Sequence, residues 1–151
     1  MTRVPYAVDG WGAGELWLEG ERVVELTHPL GRPEAVRASI PLVERLQAYY
    51  AGERDDFADV ELELDWCTSF QQALLETLRA VPYGETVTYG ELAALAGRPG
   101  AARAAGTFCA RNRFAIVVPC HRVVGAEGLG GYGSLGLEYK RRLLQLERDA
   151  L

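Results

Sequence analysis

The pairing in this 151-residue chain best suited to chemistry is a cysteine followed directly by a histidine, Cys120-His121. A thiolate attacks where a thiol does not, and a neighbouring imidazole can take the proton. Adjacency alone is weak evidence, because a buried cysteine is commonly a small hydrophobe and successive side chains on a strand point to opposite faces. The surroundings strengthen it. The pair ends the apolar run Phe114-Ala115-Ile116-Val117-Val118-Pro119, so a buried segment delivers it to one place, and Pro119 fixes φ and ends any ladder hydrogen bonding. Glu147 is a third candidate. It falls four residues after Leu143 and three after Leu144, on the leucine face of a predicted C-terminal helix, so its carboxylate points inward and needs a partner. With His121 the one histidine in that half, a Cys120–His121–Glu147 relay of nucleophile, base and orienter is one reading. Pairing of Glu147 with an arginine is the other.

The elements that must position these groups follow from composition and pattern. Hydrophobic residues make up 48% and charged residues 25%, the balance of a soluble globular protein with one domain or two small ones sharing a core. No apolar stretch reaches the roughly 18 residues that span a bilayer, and the N-terminus does not read as a secretory signal. Cys67, Cys109 and Cys120 make no disulfide framework, there is no Cys-x-x-Cys, and His28 lies far from His121. A reducing cytoplasm, with no metal and no cofactor, is the expectation. Charge is uneven: residues 1–78 carry six basic and fifteen acidic side chains, a net of −9, whereas residues 79–151 carry ten and six, a net of +4. Only the second half suits a polyanion.

Residues 5–27 read as antiparallel strands, with Gly10-Trp11-Gly12 as one turn and Glu19-Gly20-Glu21 as the hairpin loop. A helix is predicted from Pro41, capped by Ser39 and closed by Gly52, with Leu42, Leu46, Tyr49 and Tyr50 on one face. Val60–Leu64 alternates as a strand or extended connector. Nothing in residues 1–66 points to chemistry, and this part is expected to be an α/β scaffold domain, followed by a functional domain over 67–151. There, Thr68 or Ser69, with Gln71 or Gln72 three residues on, can cap a helix whose stripe is Phe70, Ala73, Leu74, Thr77 and Leu78. Thr88 and Glu91 form a capping box for a short helix ended by Gly97 and Pro99. A second short helix follows at once over 101–110, giving the helix-turn-helix order in which the second helix is presented to DNA. That helix is small-sided. Ala102, Ala105, Gly106 and Cys109 share a face that lets a sugar-phosphate surface come close, and Arg103 is the long side chain of its first turns. In the last helix, Lys140, Arg141 and Arg142 are assigned to the polar side.

These residues resemble the O6-alkylguanine-DNA alkyltransferases, the methylated-DNA–protein-cysteine methyltransferases. The likeness rests on Pro119-Cys120-His121-Arg122-Val123, on Val81-Pro82-Tyr83-Gly84-Glu85, on Thr88-Tyr89-Gly90-Glu91-Leu92-Ala93, on Ala101–Gly106 with Asn112, and on Leu143–Glu147. It covers about the last 85 residues well and the first 65 only in outline. The resemblance implies an α+β fold: a small ribonuclease-H-like antiparallel-sheet domain, then a mostly helical, winged-helix-like domain with a helix-turn-helix. It also implies a DNA repair protein acting once. Cys120 would take the alkyl group from O6 of a flipped guanine in duplex DNA, His121 would act as base through a water, and Glu147 would orient the imidazole. Tyr89 would donate to the departing guanine, Asn112 would brace the segment before Cys120, and Arg103 would fill the gap left by the base. Ala102, Ala104, Gly106, Cys109 and Arg122 would meet the minor groove. Gly131, Tyr132, Gly133, Ser134 and Val123 would form the base pocket. The partner would be duplex DNA bearing O6-alkylguanine, bound by a monomer.

The chain departs from that pattern in three places. Arg113 stands where proline commonly follows the asparagine, the loops on either side of Tyr132 differ by one residue in length, and Gly133 occupies a position often held by serine, with Ser134 next to it. These bear on the range of alkyl groups. The rival readings are a lesion-binding relative without transfer, against which Cys120 argues, and a helix-turn-helix regulator, whose recognition helix lacks the Asn, Gln or Lys at its start that reads base edges. A cysteine hydrolase would turn over many times and need an oxyanion hole.

Overall fold

The computed structural model describes residues 1–32, 39–132 and 135–151. Alternating buried and exposed positions make the N-terminal strands β1 (Thr2–Val8), β2 (Gly12–Glu19) and β3 (Arg22–Leu26), which pair antiparallel in the order β1-β2-β3. Helix α1 (Pro41–Tyr50) packs on this sheet through Val43, Leu46, Tyr49 and Tyr50. Pro41 takes its first turn as expected, but Ile40 is the N-cap and no side chain caps it, so Ser39 does not have that role. Val43, not Leu42, completes the buried face. The 60–64 segment is a connector running beside β3, joined by Val23 N to Glu61 O at 2.8 Å and Glu63 N to Val23 O at 2.8 Å.

The second half is built on two reciprocal capping boxes. Thr68 and Gln71 start α2 (Ser69–Arg79), and Thr88 and Glu91 start α3 (Tyr89–Leu95), each pair satisfying two orphan N–H groups of a helix end. A six-residue turn with Gly97 and Gly100 in the left-handed region leads to α4 (Ala102–Ala110), completing the helix-turn-helix order. Strands β4 (Val87–Thr88) and β5 (Val123–Val124) pair parallel, and α5 (Leu137–Asp149) closes the molecule. The fold is α+β, with five α-helices among the described residues. No helix among them is long and apolar enough to cross a membrane. Side chains from both halves, among them Tyr49, Phe57, Leu78, Phe114, Val118 and Leu143, belong to one continuous core.

Two expectations change. The apolar run 114–118 is not a strand. It is a tight buried turn joined to β3 by Leu26 N to Arg113 O at 2.7 Å and Ala115 N to Leu26 O at 3.0 Å. Cys120–Arg122 then forms one 3-10 turn, so Cys120 and His121 are not set on opposite faces of a strand. On α5, Lys140 is not on the polar side but fully buried, together with Leu143, Leu144 and Glu147.

Candidate active site

The turn that carries Cys120 is pinned by Asn112. Its amide Nδ2 donates to Val118 O at 2.8 Å and to Phe114 O at 3.3 Å, while its Oδ1 accepts from Phe114 N at 2.9 Å. One side chain thus closes a loop whose centre, Ile116, has φ +68°, a conformation unfavourable for a β-branched residue. Arg113, which follows Asn112, lays its guanidinium over the Trp66 ring at 4.2 Å.

Behind Cys120 lies a buried polar network centred on Glu147. Its Oε1 accepts from Gly84 N at 3.0 Å and Arg122 Nε at 2.9 Å. Its Oε2 accepts from Arg122 Nη2 at 3.0 Å and the Tyr49 hydroxyl at 2.5 Å, and lies 2.5 Å from His121 Nε2. Burial raises the carboxyl pKa, but the His121 and Arg122 hydrogen bonds and charges outweigh it and hold Glu147 well below the carboxylate range. An ionised Glu147 accepts a hydrogen bond from Nε2–H, which leaves Nδ1 as the basic nitrogen of a neutral ring. His121 Nδ1 is buried and has no hydrogen-bond partner among the described residues. Gly84 is required here: its φ is +80°, and a Cβ would meet the Leu151 side chain at 2.8 Å.

Glu147 thus pairs both with His121 and with an arginine, so the two pairings coexist. Arg122 is corrected as a DNA-facing residue: it is 3% exposed, grips Glu147 with two nitrogens and donates through Nη1 to Val81 O at 2.9 Å.

A cavity of about 230 Å³ is lined by Tyr89, Gly106, Cys109, Ala110, Gly131 and Tyr132; Cys120 is not among its lining residues and adjoins it through the neighbouring Cys109 thiol. The cavity opens along the small-sided face of α4. Cys109 is corrected too: it is buried, borders this cavity and has its thiol near that of Cys120, so it belongs to the pocket and not to an outer DNA face. Val123 is fully buried in the β4–β5 pair and is not among the lining residues. Gly131 and Tyr132 line the cavity as expected, while Gly133 and Ser134 lie outside the described residues. Ala102 is partly exposed, and Arg103 and Ala104 are exposed on α4.

Lys140 ties the rim together. Its Nζ donates to Leu129 O at 2.5 Å, Gly131 O at 3.0 Å and Tyr89 Oη at 3.4 Å, and the Tyr89 hydroxyl donates to Gly131 O at 3.2 Å. Gly130, at φ +71°, lets this loop approach, since a Cβ there would stand 2.7 Å from the Tyr89 ring. Burial pushes the Cys120 thiol well up, the Cys109 thiol adds to this, and Lys140 opposes it. The resting sulfur is a thiol, not a standing thiolate, so a base is needed when it reacts. Burial also keeps the Tyr89 phenol protonated and able to donate.

Three members of the site were not singled out from the sequence as chemical residues: Tyr49, Lys140 and His28, whose Nε2 is 3.0 Å from the Tyr132 hydroxyl. A separate cleft of about 590 Å³ on the other flank of α4, bordered by Trp66, Phe70, Thr107, Arg111 and Arg113, holds no nucleophile.

The buried imidazoles set a pH dependence of stability. Burial lowers His121, against an opposing pull from Glu147, and lowers His28 to about 3. On acidification the unfolded chain therefore takes up these protons first, so stability present above about pH 6.5 falls as pH drops. Denaturation at pH 7.0 and pH 5.0 is expected to show a loss of about 1–3 kcal/mol at the lower pH. Equal or greater stability at pH 5.0 would mean that the imidazoles are not held neutral.

Residues 69–149 match the family model described as 6-O-methylguanine DNA methyltransferase, DNA binding domain. A Mycobacterium leprae methylated-DNA–protein-cysteine methyltransferase is 55% identical over 108 residues, covering 70% of this chain and 63% of that one. This chain thus spans a little under two thirds of that relative. The protein of the same name from Mycolicibacterium paratuberculosis is 50% identical over 131 residues, covering 84% of this chain and 78% of its own. Among solved structures, Mycobacterium tuberculosis OGT in complex with DNA superimposes with a TM-score of 0.81 at 41% identity, over 97% of this chain and 93% of that one. An O6-methylguanine-DNA methyltransferase from Pyrococcus kodakaraensis gives 0.74 at 27% identity, over 97% and 99%.

Proposed function

The chain belongs to the O6-methylguanine-DNA methyltransferase family, and from that premise we propose that it repairs O6-alkylguanine in duplex DNA by moving the alkyl group onto its own Cys120. The observation that carries this reading is the arrangement at the cysteine. Cys120 adjoins, through Cys109, a cavity on the small-sided face of α4, and the imidazole that follows it in the chain is fixed by Glu147 with one nitrogen left free.

The steps follow from the groups present. O6-alkylguanine is stacked in the duplex, and Cys120 is only 1% exposed, so the base must leave the helix to reach its sulfur. The α4 N-terminus has no side-chain cap, which leaves first-turn N–H groups for a phosphate, and the exposed Arg103 beside them occupies the vacated space. Within the pocket the Cys120 proton passes to His121 Nδ1 through a water. Sulfur attacks the alkyl carbon, the S–C bond forms and the C–O6 bond breaks. The electron pair leaves with the guanine, to whose ring Tyr89 donates. Glu147 stabilises the imidazolium without taking its proton. Lys140 lowers the energy of the developing thiolate by its charge. The product is a thioether that water does not hydrolyse, so each chain acts once.

Two measurements test this. Titration of the protein with duplex carrying labelled O6-methylguanine is expected to stop at one methyl per chain, and continued turnover would exclude the reading. Arg103→Ala should slow repair of duplex DNA by about tenfold to a hundredfold, because the flipped state loses a few kcal/mol of support. Transfer from free O6-benzylguanine should change less than about twofold, since that substrate needs no flipping. Equal losses on both substrates would show that Arg103 does not fill the gap.

A further inference from the structure

The N-terminal half reaches the base pocket at a second point besides Tyr49. His28 follows β3, and its neighbour Thr27 is fixed on three sides: Thr27 O accepts from the Tyr6 hydroxyl, Thr27 Oγ1 accepts from Glu15 N at 2.9 Å, and Thr27 N donates to Glu15 O at 2.9 Å. The His28 ring meets Tyr132 edge-on at 5.5 Å and Tyr139 edge-on at 5.1 Å, and its Nδ1 is shut away from solvent without a partner. Its Nε2 makes the one hydrogen bond recorded for the Tyr132 hydroxyl among the described residues, at 3.0 Å. Tyr132 in turn stacks on Tyr139 at 6.4 Å with 19° between the planes, and forms one wall of the cavity beside Cys120.

We propose that His28 is a positioning residue which sets the width of the base slot by holding the Tyr132 ring against Tyr139. The reasoning is mechanical. Lys140 and Tyr89 hold the backbone of the loop Leu129-Gly130-Gly131 that leads to Tyr132, but none of those bonds reaches the Tyr132 ring. An aromatic wall that stacks on a flipped base must be held before the base arrives, or its ordering weakens binding. His28 supplies the fixed point from the rigid sheet on the far side of the ring. The group held at the wall acts on capture of the base, while Cys120, His121 and Glu147 act on the transfer step. Disturbing it therefore moves half-saturation and leaves the limiting rate alone. The inference rests on the alkyl-transfer reading.

The test is single-turnover transfer from free O6-benzylguanine at varied concentration. His28→Ala is expected to raise the half-saturating concentration by about tenfold, the scale of one lost hydrogen bond, with a limiting rate within about twofold of wild type. His28→Gln, which can still reach the hydroxyl, should recover most of the loss. Tyr132→Phe removes the same bond from the other side, so the His28→Ala/Tyr132→Phe double variant should be no weaker than the worse single. Unchanged half-saturation in His28→Ala, no recovery by Gln, or additive losses would each overturn the proposal. If His28→Ala does not fold, Tyr132→Phe must show the rise by itself, and its absence overturns the proposal equally. The two levels stay separable. A wild-type protein that transfers nothing contradicts the alkyl-transfer reading, whereas transfer with unaffected variants contradicts only the role of His28.

Discussion

Serine in place of Cys120 is expected to abolish alkyl transfer, with a loss of at least about a thousandfold, while binding to lesion-containing duplex stays within about threefold of wild type. Cys120 is buried beside a cavity whose walls come from other residues, so exchanging one atom removes the nucleophile and little else. A serine hydroxyl is far less nucleophilic at carbon, and the single imidazole beside it does not make up the difference. Cys109 provides the control. Its thiol lies near that of Cys120 and borders the cavity, so a site with interchangeable thiols would let Cys109 take over. Cys109 is not adjacent to the imidazole in the chain, and Cys109→Ser, which keeps a small polar group beside Cys120, is expected to slow transfer by less than about tenfold. Rapid transfer by Cys120→Ser would locate the acceptor elsewhere.

Glu147→Leu is expected to be the most destabilising single change near the site, at about 3–5 kcal/mol, read by chemical denaturation. The carboxylate compensates a guanidinium that is only 3% exposed, and it accepts from Gly84 N, the Tyr49 hydroxyl and His121 as well. Removing it leaves Arg122 buried with a full charge and no counter-ion. Changing both partners is therefore expected to cost less than changing Glu147 alone, and a Glu147→Leu/Arg122→Met pair tests this directly. The milder Glu147→Gln keeps the size of the side chain but not its charge. At a temperature where it remains folded, transfer should fall by about a hundredfold or more, because the imidazolium formed during attack loses its stabilising partner. A loss of stability below about 1 kcal/mol in Glu147→Leu would mean that the buried network does not hold this end of the fold together.

Much of this was legible in the chain, and the failures have physical reasons. Capping signals are local, so the Thr88 and Glu91 box was readable, and the start of α2 was narrowed to Thr68 or Ser69, of which the structure uses Thr68 with Gln71. The helical face rule placed Glu147 inward by its spacing from Leu143 and Leu144. The same rule places Lys140 on that face, three and four residues before those leucines. A lysine is charged, and reading it by type instead of by position put it outside. Arg122 and Cys109 were assigned outward because a motif gives neighbours in sequence and not depth. Only the 3-10 turn at Cys120–Arg122 and the packing of α4 decide which way they face. Tyr49 and His28 could not be reached from the sequence at all, since each meets its partner across 98 and 104 positions respectively. Such long-range pairs are fixed by how the sheet and α1 dock on the second half, and no local pattern encodes that.

The most direct test is peptide mass mapping after the protein has reacted with duplex DNA carrying one O6-methylguanine. One methyl per chain is expected, located on the peptide that contains Cys120, with Cys109 and Cys67 unmodified. Methylation at Cys109, or consumption of the lesion with no mass added to the protein, would contradict the assignment of Cys120 as the acceptor.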